Sequence, residues 1–234
     1  MFWKLSNKKY YEVYFYHMRK AGGTSLRKYL VEYSSINKIP IQIDEGYTID
    51  TQRLSRKTSQ ELAVTCLRDP IERIKSSYRF EGRWEQHDKN VSIDTMKPFS
   101  IWAAKNRFNN DNNFVWVCTE NYYIKALIGY PKFGQNKIGR RELELAKENL
   151  LKFDIVLLTE QLSYLKTSQY LKKKLGIDHP VPMFKYPELP RPEMTDEEFF
   201  DQQTLIWLTE VNELDIELYK TACRLFEKRT GRWF

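Results

Sequence analysis

The run LAVTCL at residues 62–67 constrains the fold of this chain more than any other stretch. Nearly all of it is apolar, so it has no polar face to turn to water. That is the pattern of a short strand buried on both faces of a parallel sheet. FDIVLLTE at 153–160 repeats the pattern. EVYFYHM at 12–18, rich in β-formers, and IPIQIDEGY at 39–47, ending in a turn, read as two further strands. Helical segments lie between and after them. In 24–33, Leu26, Tyr29, Leu30 and Tyr33 fall at i, i+3, i+4 and i+7 on one face. After the third strand, Asp69 is placed to N-cap a helix, Pro70 suits its first position and Glu72 completes a capping box. Ile71, Ile74 and Tyr78 of that helix then face the core. Residues 98–106, 119–129, 140–152, 161–175, 195–208 and 212–229 read as further helices. A polar loop, NRFNNDNN, and a proline-rich connection at 179–194 interrupt them. Strands alternating with helices mean an α/β fold with a parallel sheet. With no repeat and no composition break, one domain over 1–234 is expected.

Composition supports a packed core. Of 234 residues, 41% are hydrophobic and 15% aromatic, and the 29% that are charged are mixed in sign, which argues against disorder. The net charge of +7 favours an anionic ligand or partner: a nucleotide, a nucleic acid or a sulfated polymer. Cys66, Cys118 and Cys223 are odd in number and far apart, which fits neither a disulfide framework nor a zinc site. A reducing compartment is expected. The opening MFWKLSNKKYYEVYF lacks the apolar core of a secretion signal, and no run approaches a membrane span. A cytoplasmic protein without a membrane partner is therefore expected.

YHMRKAGGTSLRKYL at 16–30 carries the first chemical signal. A strand runs into Arg19 and Lys20, then Gly22 and Gly23, then Thr24 and Ser25 at the head of a helix. Backbone N–H groups in a glycine turn and at a helix N-terminus bind phosphate oxygens, with hydroxyls and a lysine adding to them. The same letters also describe an ordinary capped strand-to-helix turn. A nucleotide kinase would need G-x-x-x-x-G-K-[ST], but here the lysine precedes the glycines. The dinucleotide pattern G-x-G-x-x-G is absent as well. VTCLRDPIERIKSSY supplies a second element. It puts Arg68 at the end of a buried strand, and Asp69, Arg73 and Ser76 on one stripe of the following helix. Alone it reads equally as a capped amphipathic helix; combined with the first loop it becomes far more specific.

The stretch H-M-R-K-A-G-G-T-S resembles the 5′-phosphosulfate loop of sulfotransferases that use 3′-phosphoadenosine 5′-phosphosulfate (PAPS). LRDPIERIKSSY resembles their 3′-phosphate motif, with arginine and serine at the usual separation. FDIVLLTEQL and NELDIELYKTA resemble the later strand and closing helix of that family, in particular of its carbohydrate and heparan sulfate branch. FEGRW and ENYYIKALIG resemble small soluble members from microalgae and cyanobacteria, some of which act on toxins such as saxitoxin. The resemblance implies a P-loop-like α/β sheet flanked by α-helices, with PAPS as donor and the corresponding bisphosphate, PAP, as product. Lys20 would contact the bridging oxygen of the leaving phosphate. Arg19 and the backbone of Ala21, Gly22, Gly23, Thr24 and Ser25 would hold the 5′-phosphosulfate. Arg68 and Ser76 would hold the 3′-phosphate. Sulfuryl transfer, like phosphoryl transfer, is mostly positioning and charge stabilisation, and no metal cluster is expected.

One family feature is missing. Heparan sulfate relatives carry a histidine base between the two motifs, where this chain has DEGYTID. Glu45 and Tyr47 take the histidine positions, and Glu45 is the expected base. His87, in the loop expected after FEGRW, is the alternative. His17 is expected to pack or to act at second hand, and His179 to be structural. Asp44, Glu45, Glu81, Glu85 and Asp88 gather where the acceptor would lie, either as a charged helix end or as a pocket lining. In a pocket they disfavour a polyanion and favour a neutral or cationic small acceptor. Trp84, Trp102, Trp116, Tyr122 and Tyr123 would wall it, or serve as core. A nucleic-acid-binding module is the non-enzymatic alternative, but the basic residues form no dense stripe, so no nucleic-acid partner is expected.

Overall fold

The structure is a computed structural model and describes residues 10–45, 49–87, 99, 119–129, 138–177, 179–182 and 199–231. Four strands form its sheet: β1 (Glu12–Tyr16), β2 (Ile41–Asp44), β3 (Glu61–Leu67) and β4 (Ile155–Leu158). All pairings are parallel, in the order β2-β1-β3-β4. Val13 to Tyr16, Leu62 to Leu67 and Ile155 to Leu158 are buried without a gap. Unbroken burial means that both faces of these strands are covered, as their apolar runs predict. β2 differs: it is an edge strand, half-exposed, and its polar Gln42 and Asp44 suit that place.

The helices are α1 (Gly23–Asn37), α2 (Thr51–Arg56), α3 (Pro70–His87), α4 (Tyr122–Leu127), α5 (Arg140–Leu151), α6 (Leu165–Leu175), α7 (Gln202–Val211) and α8 (Glu213–Thr230). Every helix expected within the described residues is present, in a single α/β domain. The helix expected at 98–106 lies outside the described residues apart from Phe99. α2 was not expected; Asp50 caps it by accepting from the Arg53 N–H at 2.9 Å. The FDIVLLTE strand stops at Leu158, because Thr159–Gln161 form a 3₁₀ turn.

α3 refines an expectation. Asp69 Oδ1 does cap it, accepting from the N–H groups of Ile71 and Glu72 at 3.0 Å each. The return bond of the expected box comes from elsewhere, however, since the Asp69 N–H donates to Glu160 Oε1 at 3.0 Å. Glu72 instead pairs with Lys75 at 2.9 Å. The turn after β3 is thus tied to the turn after β4. Ile74 and Tyr78 face a small aromatic core with Phe99, Phe199 and Phe200, and Tyr78 meets those rings edge-on.

At the amino ends of the strands, Arg53 binds Glu12 at 2.7 Å and Glu61 at 3.2 Å, and Lys57 binds Asp154 at 3.0 Å. These pairs clamp β1, β3 and the start of β4.

The closing helix α8 carries a buried anchor. Asp215 is fully buried and accepts from the N–H of Tyr123 at 2.8 Å and of Ile124 at 3.0 Å. Asn121 Oδ1 in turn accepts from the Asp215 N–H at 3.1 Å. α4 is therefore capped from another helix rather than by its own side chains. Burial pushes the Asp215 carboxyl up to about 6, while the two N–H bonds and the Arg73 charge hold it down. Asp215→Ala strands both donors beside a buried cation and should cost about 3–5 kcal/mol. For a chain of this size that lowers the thermal midpoint by about 10 °C. An unchanged midpoint in thermal unfolding would remove Asp215 from this role.

The strand order also fixes where a ligand fits. From β1 the chain first moves outward to β2, then returns past β1 to β3 on its other side. Connections that diverge from neighbouring strands leave a crevice at their carboxyl ends. Here that crevice lies between the ends of β1 and β3.

Candidate functional site

A cavity of about 350 Å³ opens at this crevice, within the range of about 300–1,000 Å³ usual for small-molecule sites. Arg19, Lys20, Gly22, Gly23, Thr24 and Ser25 line it from the β1 side, and Arg68 and Ser76 from the β3 side. Stretches more than forty residues apart in sequence, singled out separately as anion-binding elements, thus share one wall-to-wall space. Ala21 is buried behind the loop and can offer only backbone.

The β1 loop turns tightly. The Ala21 N–H donates to the Met18 carbonyl at 3.3 Å, and Lys20 takes a left-handed conformation at φ 59. That region is disfavoured for a side chain as large as lysine. Gly22 follows at φ 72 and caps α1. A Cβ there would lie 2.9 Å from Leu162 Cδ1, so glycine is required on both counts. The first turn of α1 has no acidic residue and no side-chain cap. Its positive end therefore faces the cavity, where the N–H groups of a helix start favour an anion. Lys20 Nζ sits 3.8 Å from the centre of the Phe80 ring, which holds the ammonium at the cavity edge.

On the β3 side, the Arg68 side chain is a quarter exposed and 3.8 Å from Glu72 Oε2, a loose contact that leaves it directed at the cavity. Ser76 follows two turns along α3. Arg73 does not join them, although the sequence places it on the same stripe. It is fully buried, with its guanidinium 4.3 Å from the Tyr122 ring centre.

Glu45 lies on the cavity wall just past β2. Its Oε1 accepts from Arg27 at 2.5 Å and lies 3.3 Å from His17 Nδ1. Both contacts fall on one oxygen; among the described residues none falls on Oε2. His17 also lines the cavity and stacks on Phe15 at 5.7 Å. Burial lowers its pKa below the usual 6.5, and the nearby Glu45 carboxylate opposes that shift. The imidazole edge also presses on the loop: a Cβ on Gly23 would lie 1.6 Å from His17 Nε2.

His87 is the last residue of α3, and its side chain lies outside the described residues, as do those of Glu81, Trp84 and Glu85. Tyr47, Asp88, Trp102, Trp116 and Cys118 also lie outside them. Asp44 accepts from the Tyr14 hydroxyl at 3.2 Å. His179 contacts Glu32 at 3.2 Å and the Tyr29 ring edge, away from the cavity. Cys66 is buried and its thiol is pushed up to about 12, so it is no nucleophile. No helix among the described residues is long and apolar enough to cross a membrane.

Sequence reasoning missed the far wall. Thr159 and Leu162, after β4, close the cavity, and Thr159 Oγ1 donates to the Leu67 carbonyl at 3.1 Å. It also missed Phe80 as the support of Lys20. Only the i, i+4 relation of Ser76 and Phe80 on α3 was there to signal it.

No family model matches the sequence, and no curated protein matches it. Fold and geometry alone define the class: a single-domain α/β protein with a cationic cavity at the crevice of its parallel sheet.

Proposed function

We propose that this chain is a sulfotransferase that moves a sulfuryl group from PAPS to a hydroxyl, or an amine, of a small neutral or cationic acceptor. The observation that supports it best is the convergence of two cationic elements, one after β1 and one after β3, on one cavity. A donor with separate 5′ and 3′ anionic groups suits such a pair, and the sheet is P-loop-like in this sense. The glycine loop and the open end of α1 fit an anion close to the backbone, and the volume fits a small molecule. When bound, the donor supplies a sulfuryl group activated by a phosphate leaving group.

The residues divide the work. Arg19 and the N–H groups of the loop hold the 5′ end, and Arg68 and Ser76 hold the 3′-phosphate. Lys20, set at the cavity edge by Phe80, neutralises charge that grows on the leaving oxygen. Glu45 takes the acceptor proton on Oε2, while Arg27 donates to Oε1 and His17 lies beside that oxygen. A carboxylate on the acceptor side also favours cationic over anionic acceptors. With a reducing, cytoplasmic location, this points to small molecules rather than secreted polysaccharides.

Calorimetry with PAP, with ATP and magnesium, and with an oligonucleotide separates this function from a kinase and from a nucleic-acid module. Only PAP should bind tightly, and without added metal. Binding of ATP or oligonucleotide in its place overturns the proposal. Arg68→Ala should weaken PAP by about 10- to 150-fold, as expected for one charged hydrogen bond. Unchanged affinity would take Arg68 out of the site. Transfer of labelled sulfate from PAPS to a panel of small acceptors then identifies the acceptor class.

A further inference from the structure

We infer that Tyr122 and Tyr123 are positioning residues: together they set the spacing between the two anion-binding elements. This rests on the reading of the cavity as a site for two phosphate groups. The Tyr122 hydroxyl accepts from the Arg19 N–H at 3.0 Å. The Tyr123 hydroxyl accepts from the Arg68 N–H and donates to the Arg68 carbonyl, both at 2.8 Å. Arg19 and Arg68 are among the residues that line the cavity, one from each of its two sides. Consecutive residues of one short helix therefore each hold the backbone of one element.

The helix itself cannot drift. Its first N–H groups end on the buried Asp215, and both rings lie under the Arg73 guanidinium, at 4.3 and 5.5 Å. Both rings are fully buried. Burial keeps the Tyr123 phenol protonated far above neutral pH, so its donor bond persists. Adjacent parallel strands lie about 4.8 Å apart, but nothing in the sheet ladder fixes the residues beyond the strand ends. β1 ends at Tyr16 and β3 at Leu67, so Arg19 and Arg68 both lie past the ladder. The two hydroxyls supply the missing constraint. A ligand that bridges both elements gains affinity from a preset distance, whereas a ligand that touches one element does not.

The test compares PAP, which spans both elements, with adenosine 5′-phosphate, which has only the 5′ anion. Both affinities are measured by calorimetry in the wild type, Tyr123→Phe and Tyr122→Phe. Phenylalanine keeps the buried ring, and thermal unfolding checks that each variant is folded. Tyr123→Phe should weaken PAP by about tenfold, the effect of losing a buried hydrogen-bonded hydroxyl, and leave adenosine 5′-phosphate unchanged. Tyr122→Phe should likewise weaken PAP more than adenosine 5′-phosphate, because it releases the other element from the same spacing. Equal losses for both ligands in Tyr123→Phe, or no loss for either, would overturn the positioning role and leave the sulfotransferase proposal standing. Wild-type protein that binds neither ligand overturns the two-phosphate site, and the role with it.

Discussion

Lys20→Ala should lower turnover by about 100-fold or more while leaving PAP affinity nearly unchanged. The expectation follows from where the ammonium is held. Lys20 accepts an unfavourable left-handed backbone, and its Nζ rests 3.8 Å above the Phe80 ring centre at the edge of the cavity. A cation fixed in advance at that point has little to reorganise as charge develops on a leaving oxygen. Its worth therefore appears in the transition state more than in ground-state binding. In the proposed mechanism, Arg19, Arg68 and the end of α1 would still hold the ground state of the donor. Steady-state kinetics with PAPS, paired with calorimetry of PAP, separates the two effects. A variant in which only the donor Michaelis constant rises makes Lys20 a binding residue and refutes its role in the chemical step.

Glu45→Gln should reduce turnover by about 10²–10⁴-fold, the usual contribution of a general base, with PAP affinity intact. The substitution is selective for a geometric reason. Arg27 and His17 both meet Oε1, and a glutamine can keep an oxygen in that place. What it loses is the second acceptor, because the amide nitrogen cannot take a proton from an acceptor hydroxyl. A structural effect through Arg27 would therefore be spared, and a chemical one would not. His87→Ala should have the smaller effect. If Glu45→Gln turns over normally and His87→Ala is inactive, the base lies at the end of α3. If both variants stay active, the acceptor is nucleophilic enough to need no base from the protein.

Much of the fold was legible because three of its four described strands are buried on both faces. LAVTCL and FDIVLLTE announce a parallel sheet by composition alone, and helices between strands follow from their apolar period. The two basic elements stood out for a related reason: glycines, hydroxyls and basic residues fall together in short stretches. What the sequence hid was contact between distant segments. Tyr122 and Tyr123 look like core aromatics, and only their hydroxyls, which reach Arg19 and Arg68, reveal more. The capping box at Asp69 was half right, because the missing bond arrives from Glu160, ninety-one residues away. Arg73 fell on the expected stripe but turned into the core, where aromatic rings and a buried carboxylate receive it. Helical period places a residue on a face; it does not say which neighbour that face meets.

The contact between His17 and Gly23 has a consequence for how this sequence can drift. The imidazole already fills the space a side chain at position 23 would need, with 1.6 Å between Nε2 and an added Cβ. A side chain at position 23 therefore requires the imidazole to turn away or position 17 to shrink. Substitutions at the two sites are thus coupled: a small residue at 23 is accommodated more readily once the residue at the end of β1 is smaller.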